Sequence, residues 1–153
     1  MKQSRATIRY AKSLIDISEE NGVIDSSYDD MLLINSLCLS NKDLVNLLKT
    51  PIVKTDLKVK ILKELFSNSI SKLTLSFIIL ITNKKRESLL AEICSSFISL
   101  YKNKKNIKEV TVTTALQLDD SMRKELMNYV GAQNNTNIEL IEKVDESLIG
   151  GVI

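Results

Sequence analysis

Over the first hundred positions, apolar residues recur at three- and four-residue steps, the period of helices that bury one stripe; past residue 109 the pattern changes to alternation. From Ser4 to Asn21 the apolar positions form two adjoining stripes, Ile8/Ala11/Ile15 and Tyr10/Leu14/Ile17, with Arg5, Arg9, Lys12, Asp16 and Glu19 on the remaining face. That is wider than one core contact requires, so either one stripe serves a partner or the helix lies deep in a bundle. Asn21-Gly22 predicts its end, because glycine suits the left-handed position after a last turn. Asp25 predicts the N-cap of a second helix carrying Tyr28, Met31, Leu32, Leu33, Ile34, Leu37, Cys38 and Leu39. Ser40-Asn41 separates it from a short third helix, DLVNLLK, which Thr50-Pro51 ends, since the residue before proline is pushed out of the helical region. A fourth, from about Asp56 to Ser67, is expected to bury Leu57, Ile61, Leu62, Leu65 and Phe66 and to turn Lys54, Lys58, Lys60 and Lys63 to water.

The most apolar stretch is LTLSFIILITNKKRESLLAEICSSFISLY, Leu73 to Tyr101. Its first half leaves almost no polar face, and a helix apolar all round must be enclosed. Lipid does not fit, because a spanning helix needs about 20 apolar residues. This run has about ten, interrupted by Ser76 and closed by NKKRE. Leu90, Ile93, Cys94, Phe97, Ile98 and Tyr101 then form one stripe of a sixth, amphipathic helix. Six helices with short connections predict an all-α bundle over residues 1–105.

YKNKKNIKE, at 101–109, reads as a linker or a frayed helix end. In EVTVTTALQL the β-branched residues and the alternation predict a strand. Asp119 predicts the cap of a helix through Met122, Leu126, Met127, Tyr129 and Val130, with Gly131 after its end. Asn134-Asn135 reads as a turn, TNIELIEKV as a second strand with Ile138 and Leu140 on one face, Asp145-Glu146 as another turn, and SLIGGVI as a third strand. The expected fold is therefore mainly α: a six-helix N-terminal bundle followed by a small, incomplete α/β domain over 106–153. So few residues form no robust core alone. The second part is expected to lean on the bundle or on a partner, or to lack its last elements.

Charge sharpens the division. Residues 1–105 hold 17 Lys/Arg against 11 Asp/Glu, and 106–153 hold 4 against 8, which means either separate partners or solvated faces. The chain has no histidine, the commonest general base and metal ligand. The acidic pairs Glu19/Glu20, Asp29/Asp30, Asp119/Asp120 and Asp145/Glu146 are adjacent, about 100° apart on a helix, and read as caps and surface. Gly150-Gly151 has no following Lys-Ser/Thr to make a phosphate loop and reads as a bulge or a close backbone approach. Cys38 and Cys94 read as reduced core thiols. No catalytic residue, metal or cofactor is expected. The N-terminus lacks a signal-peptide core, so the chain is expected to stay in the cytoplasm without inserting into the membrane. Lys84-Lys85-Arg86 and the lysines from 102 to 108 could neutralise phosphates, but no aromatics interleave them and the pI is about 8.5. A helical nucleic-acid or regulatory adaptor is thus the alternative to a protein-binding module, and nucleic acid is not expected as the partner.

Five stretches in order carry a resemblance: RYAKSLIDIS (9–18), LLKTPIVKTDLKVKILKELF (47–66), SFIILITNKKRESLLAEICSSFISLY (76–101), VTVTTALQLDD (110–120) and VDESLIGGVI (144–153). Together they resemble the delta-subunit family of F-type ATP synthase, whose mitochondrial branch is the oligomycin-sensitivity-conferring protein. The resemblance implies a six-helix bundle with a smaller C-terminal domain, and a peripheral-stalk (stator) role, non-catalytic, tying the alpha/beta head to the b subunits at the cytoplasmic face of the bacterial plasma membrane. It also implies that the first and fifth helices take the N-terminal helix of an alpha subunit. Carried across, that site comprises Tyr10, Ala11, Ser13, Leu14, Leu80, Ile81, Lys84 and Arg86, with Asp145, Gly150 and Gly151 as a stalk contact or structural turn. Two departures stand out. Lys84 occupies a position where relatives often have asparagine, and family members continue past the Gly-Gly strand through a further strand and helix.

Overall fold

The computed structural model describes residues 4–134 and 137–144. The chain divides into two compact units, Met1–Tyr101 and Lys102–Ile153.

The first unit is a bundle of α1 (Arg5–Glu20), α2 (Ile24–Ser40), α3 (Lys42–Lys49), α4 (Thr55–Phe66), α5 (Lys72–Asn83), a short 3₁₀ turn (Glu87–Leu89) and α6, which starts at Leu90 and runs on to Lys104. Its core is built from Leu14, Met31, Ile34, Leu62, Phe66, Ile78, Ile81, Leu90, Ile93 and Phe97, all at most 1% exposed. Such close packing is what makes single deletions in it costly. Cys38 and Cys94 are buried free thiols, and burial pushes the pKa of both up.

Local signals place the breaks. Ser4 caps α1 by accepting from the Thr7 N–H at 3.2 Å, and Asn41 caps α3 by accepting from the N–H groups of Asp43 and Leu44. Gly22 takes the left-handed conformation after α1, with φ +67. Asp25, by contrast, is no N-cap: α2 starts one residue earlier, and the Asp25 carboxylate instead accepts from the Tyr101 hydroxyl at 2.6 Å. The Tyr101 ring stacks on Tyr28, with centroids 4.0 Å apart. The start of α5 is capped from a distance: Asp30, on α2, accepts from the Ser71 N–H at 3.0 Å and the Ser71 hydroxyl at 2.6 Å.

Two expectations about the helical faces are corrected. On α4 the buried stripe is Lys58/Leu62/Phe66, at 2%, 0% and 0% exposure, while Leu57 and Leu65 are 52% and 47% exposed. Lys58 does not face water. It donates to Glu87 Oε1 at 2.6 Å and to the Leu48 carbonyl at 3.2 Å, inside the bundle. Nor is α5 enclosed all round. It buries Thr74, Phe77, Ile78, Ile81 and Thr82, whereas Leu80 is 49% exposed.

In the second unit, β1 (Ile107–Thr114) and β2 (Asn137–Val144) pair in parallel, from Ile107 opposite Asn137 to Thr114 opposite Val144, with α7 (Asp120–Asn134) as the crossover. The 101–109 segment is thus neither linker nor frayed end: it supplies the last turn of α6 and the first residues of β1. Asn106, at φ 52, makes the left-handed corner between them. Asp119 caps α7, accepting from the Met122 N–H at 2.7 Å, and this bond holds its carboxyl below the usual range. The helix runs through Gly131 rather than ending before it. Parallel register sets Glu109 directly opposite Glu139, and Lys102 bridges both carboxylates, which offsets their repulsion. Arg123 grips Glu142 through two nitrogens, at 2.5 and 3.1 Å, tying α7 to β2. The expected Asp145-Glu146 turn and third strand, with Gly150 and Gly151, lie outside the described residues.

Candidate functional site

Tyr10 is half-buried on α1, and its ring meets Phe77 of α5 edge-on, centroids 6.5 Å apart. This geometry suits aromatic quadrupoles and makes a side-chain contact between α1 and α5. Next to it is a hollow of about 280 Å³ lined by Ala6, Arg9, Tyr10, Ser13 and Arg86. Residues 6, 9 or 10, and 13 share one helical face. The Ser13 hydroxyl is turned back onto its own helix, donating to the Arg9 carbonyl at 3.0 Å. Two guanidinium groups and no carboxylate line the hollow, so its polar complement is an acceptor or an anion.

Arg86 reaches this hollow through the way α5 ends. The Lys85 N–H bonds to the Thr82 carbonyl at 2.9 Å and the Arg86 N–H to the Ile81 carbonyl at 3.0 Å, the paired closure that a left-handed residue makes possible. That residue is Lys85, at φ 56, where glycine is the usual occupant. Leu80, half-exposed, stands three residues beyond Phe77 and so on an adjoining strip of α5.

Of the residues carried across by resemblance, the structure brings Tyr10, Ser13 and Arg86 together and leaves Leu80 partly open. Ala11, Leu14 and Ile81 are corrected: at 0%, 1% and 0% exposure they form core beneath the site and offer no surface. Lys84 is exposed at the C-cap of α5 but does not line the hollow. Ala6 and Arg9 line it and were missed; their spacing from Tyr10 and Ser13 was the available signal. Among the described residues, no group of three or more His, Cys, Asp or Glu is placed to hold a metal ion, and no helix is long and apolar enough to cross a membrane.

A family model described as ATP synthase delta (OSCP) subunit matches residues 6–153. The chain is 41% identical to the ATP synthase subunit delta of Cytophaga hutchinsonii over 100% of its own length and 84% of that protein's. It is 35% identical to the subunit of the same name from Chlorobium phaeobacteroides, over 99% and 84%. A solved chain in the Toxoplasma gondii mitochondrial ATP synthase hexamer shares the fold, with a TM-score of 0.78 and 17% identity over 98% of this chain and 85% of that one.

Proposed function

Because this chain belongs to the ATP synthase delta (OSCP) subunit family, we propose that it is a non-catalytic stator subunit which joins the alpha/beta head to the b subunits of the peripheral stalk, its α1–α5 face receiving the N-terminal helix of an alpha subunit. The observation that carries this reading is the open hollow beside the Tyr10–Phe77 contact, with Leu80 half-exposed on α5. An amphipathic helix lays its apolar face into such a trough on rigid elements. Arg9 and Arg86 favour an incoming helix with a carboxylate near its apolar stripe. Tyr10 presents a ring to bury and a hydroxyl that can stay wet, the amphipathic character common in interface anchors.

The work of such a subunit is mechanical. A connector that resists rotor torque needs contacts that dissociate slowly, and a few buried anchors can provide most of that. In place it is peripheral, on the cytoplasmic face of a bacterial plasma membrane. The alternative that uses the lysine runs as a phosphate-binding array loses support at Lys102, which is bound between Glu109 and Glu139.

Calorimetric titration of a synthetic alpha N-terminal peptide tests the site. Tyr10→Ala and Arg86→Ala are each expected to weaken binding about tenfold or more with the circular dichroism of the bundle unchanged. Unaltered affinity in both removes the hollow from the interface. A charge at Ala11 is a poor probe, because that position is fully enclosed and the substitution would unfold the bundle.

A further inference from the structure

The buried pair Lys58–Glu87 has no part in the hollow beside Tyr10. It lies against a second hollow, whose lining includes Leu48, Lys58, Lys85 and Glu87. As a source of stability it is a poor choice. Both residues are more than nine-tenths buried, the Glu87 Oε2 atom has no hydrogen-bond partner among the described residues, and taking two charges out of water costs as much as their attraction returns. Apolar residues of similar volume would hold α4 to the 3₁₀ turn after α5 as firmly.

What an apolar pair would not do is fix direction. Glu87 is the residue after Arg86, and the two side chains line different hollows. The backbone of Arg86 is held on every side. Its N–H bonds to Ile81, its carbonyl accepts from the Leu89 N–H at 3.0 Å, the preceding Lys85 is in a left-handed conformation, and the following Glu87 is bound at 2.6 Å to a lysine that is itself tied to the Leu48 carbonyl. A non-glycine residue stays left-handed only where its surroundings over-determine it. The charged pair is directional where apolar contact is not, so it sets the rotation of the turn and with it the line along which the Arg86 guanidinium leaves the backbone.

We infer that Lys58 and Glu87 are positioning residues for partner binding: they touch no partner and act by aiming Arg86 into the hollow on α1. This rests on the reading of that hollow as the alpha-helix site.

A double-mutant cycle tests it. Peptide affinity is measured for Arg86→Ala in the wild-type background and in Lys58→Met/Glu87→Leu, where removing both charges together keeps the fold, as thermal melts and circular dichroism verify. The expected result is about a tenfold loss from Arg86→Ala in the wild type and less than about threefold in the apolar background, whose own affinity already approaches that of Arg86→Ala. If the apolar background fails to fold, Lys58→Arg, which keeps the charge but displaces its donors, replaces it with the same shrinkage expected. Equal losses in both backgrounds overturn the positioning role and leave the site standing. No loss from Arg86→Ala in the wild type also overturns the positioning role, since there is then no contact to aim, and Tyr10→Ala alone decides the site.

Discussion

Helices α1 and α5 end with the same pair of backbone hydrogen bonds but on different residues. After α1, Gly22 N–H bonds to Glu19 at 2.9 Å and Val23 N–H to Ser18 at 2.8 Å; after α5, the bonds of Lys85 and Arg86 repeat the pattern. In both, a carboxylate a few residues on is tied to a distant element, Asp25 to Tyr101 and Glu87 to Lys58. Where the turn only has to stop a helix, glycine makes it without strain and a part-buried hydrogen bond between a phenol and a carboxylate suffices. The turn that presents Arg86 carries a strained lysine and a buried ion pair. The difference suggests that the chain invests in rigidity where a side chain must be aimed.

The largest way to break this contrast is Lys58→Ala, which leaves Glu87 charged, buried and alone. It is expected to cost about 3–5 kcal/mol in chemical denaturation, far more than any change at the α1 end. Next is pH. Burial and the bond to Asp25 hold the Tyr101 phenol neutral, its pKa raised from 10.0 to about 12. With the folded value above the unfolded one, its contribution is fully present below pH 10 and is lost as pH rises through 12. The denaturation midpoint of the wild type should fall more steeply over that window than that of Tyr101→Phe. Smallest is a reciprocal pair. Gly22→Ala, with nothing within 4 Å of the added methyl, should lose about 1 kcal/mol from its backbone alone, while Lys85→Gly should gain roughly 0.5–1 kcal/mol in the same melts. Equal signs would show that the two turns are not equivalent backbones.

Much of the fold was legible because its signals are local. The stop at Gly22, the break at Thr50-Pro51 and the switch to β-branched alternation at 110–114 each depend on neighbours in sequence. Lys58 was misread because two stripes with the same four-residue spacing run side by side on α4. The pattern marks both Leu57/Ile61/Leu65 and Leu62/Phe66 as core; the structure buries the second row with Lys58 at its head, which nothing local announces because the lysine's partner Glu87 lies 29 residues away. Family resemblance pointed to Tyr10, Ser13 and Arg86, and the structure gathers these three around one hollow. Resemblance does not report depth, so Ala11, Leu14 and Ile81, one layer below, came along with them.

Asp30 precedes the Ser71 that it anchors by 41 residues. The start of the chain's most apolar helix is thereby moored to a carboxylate far upstream, so removing the Asp30 side chain would loosen the first turn of α5 although the two are remote in sequence.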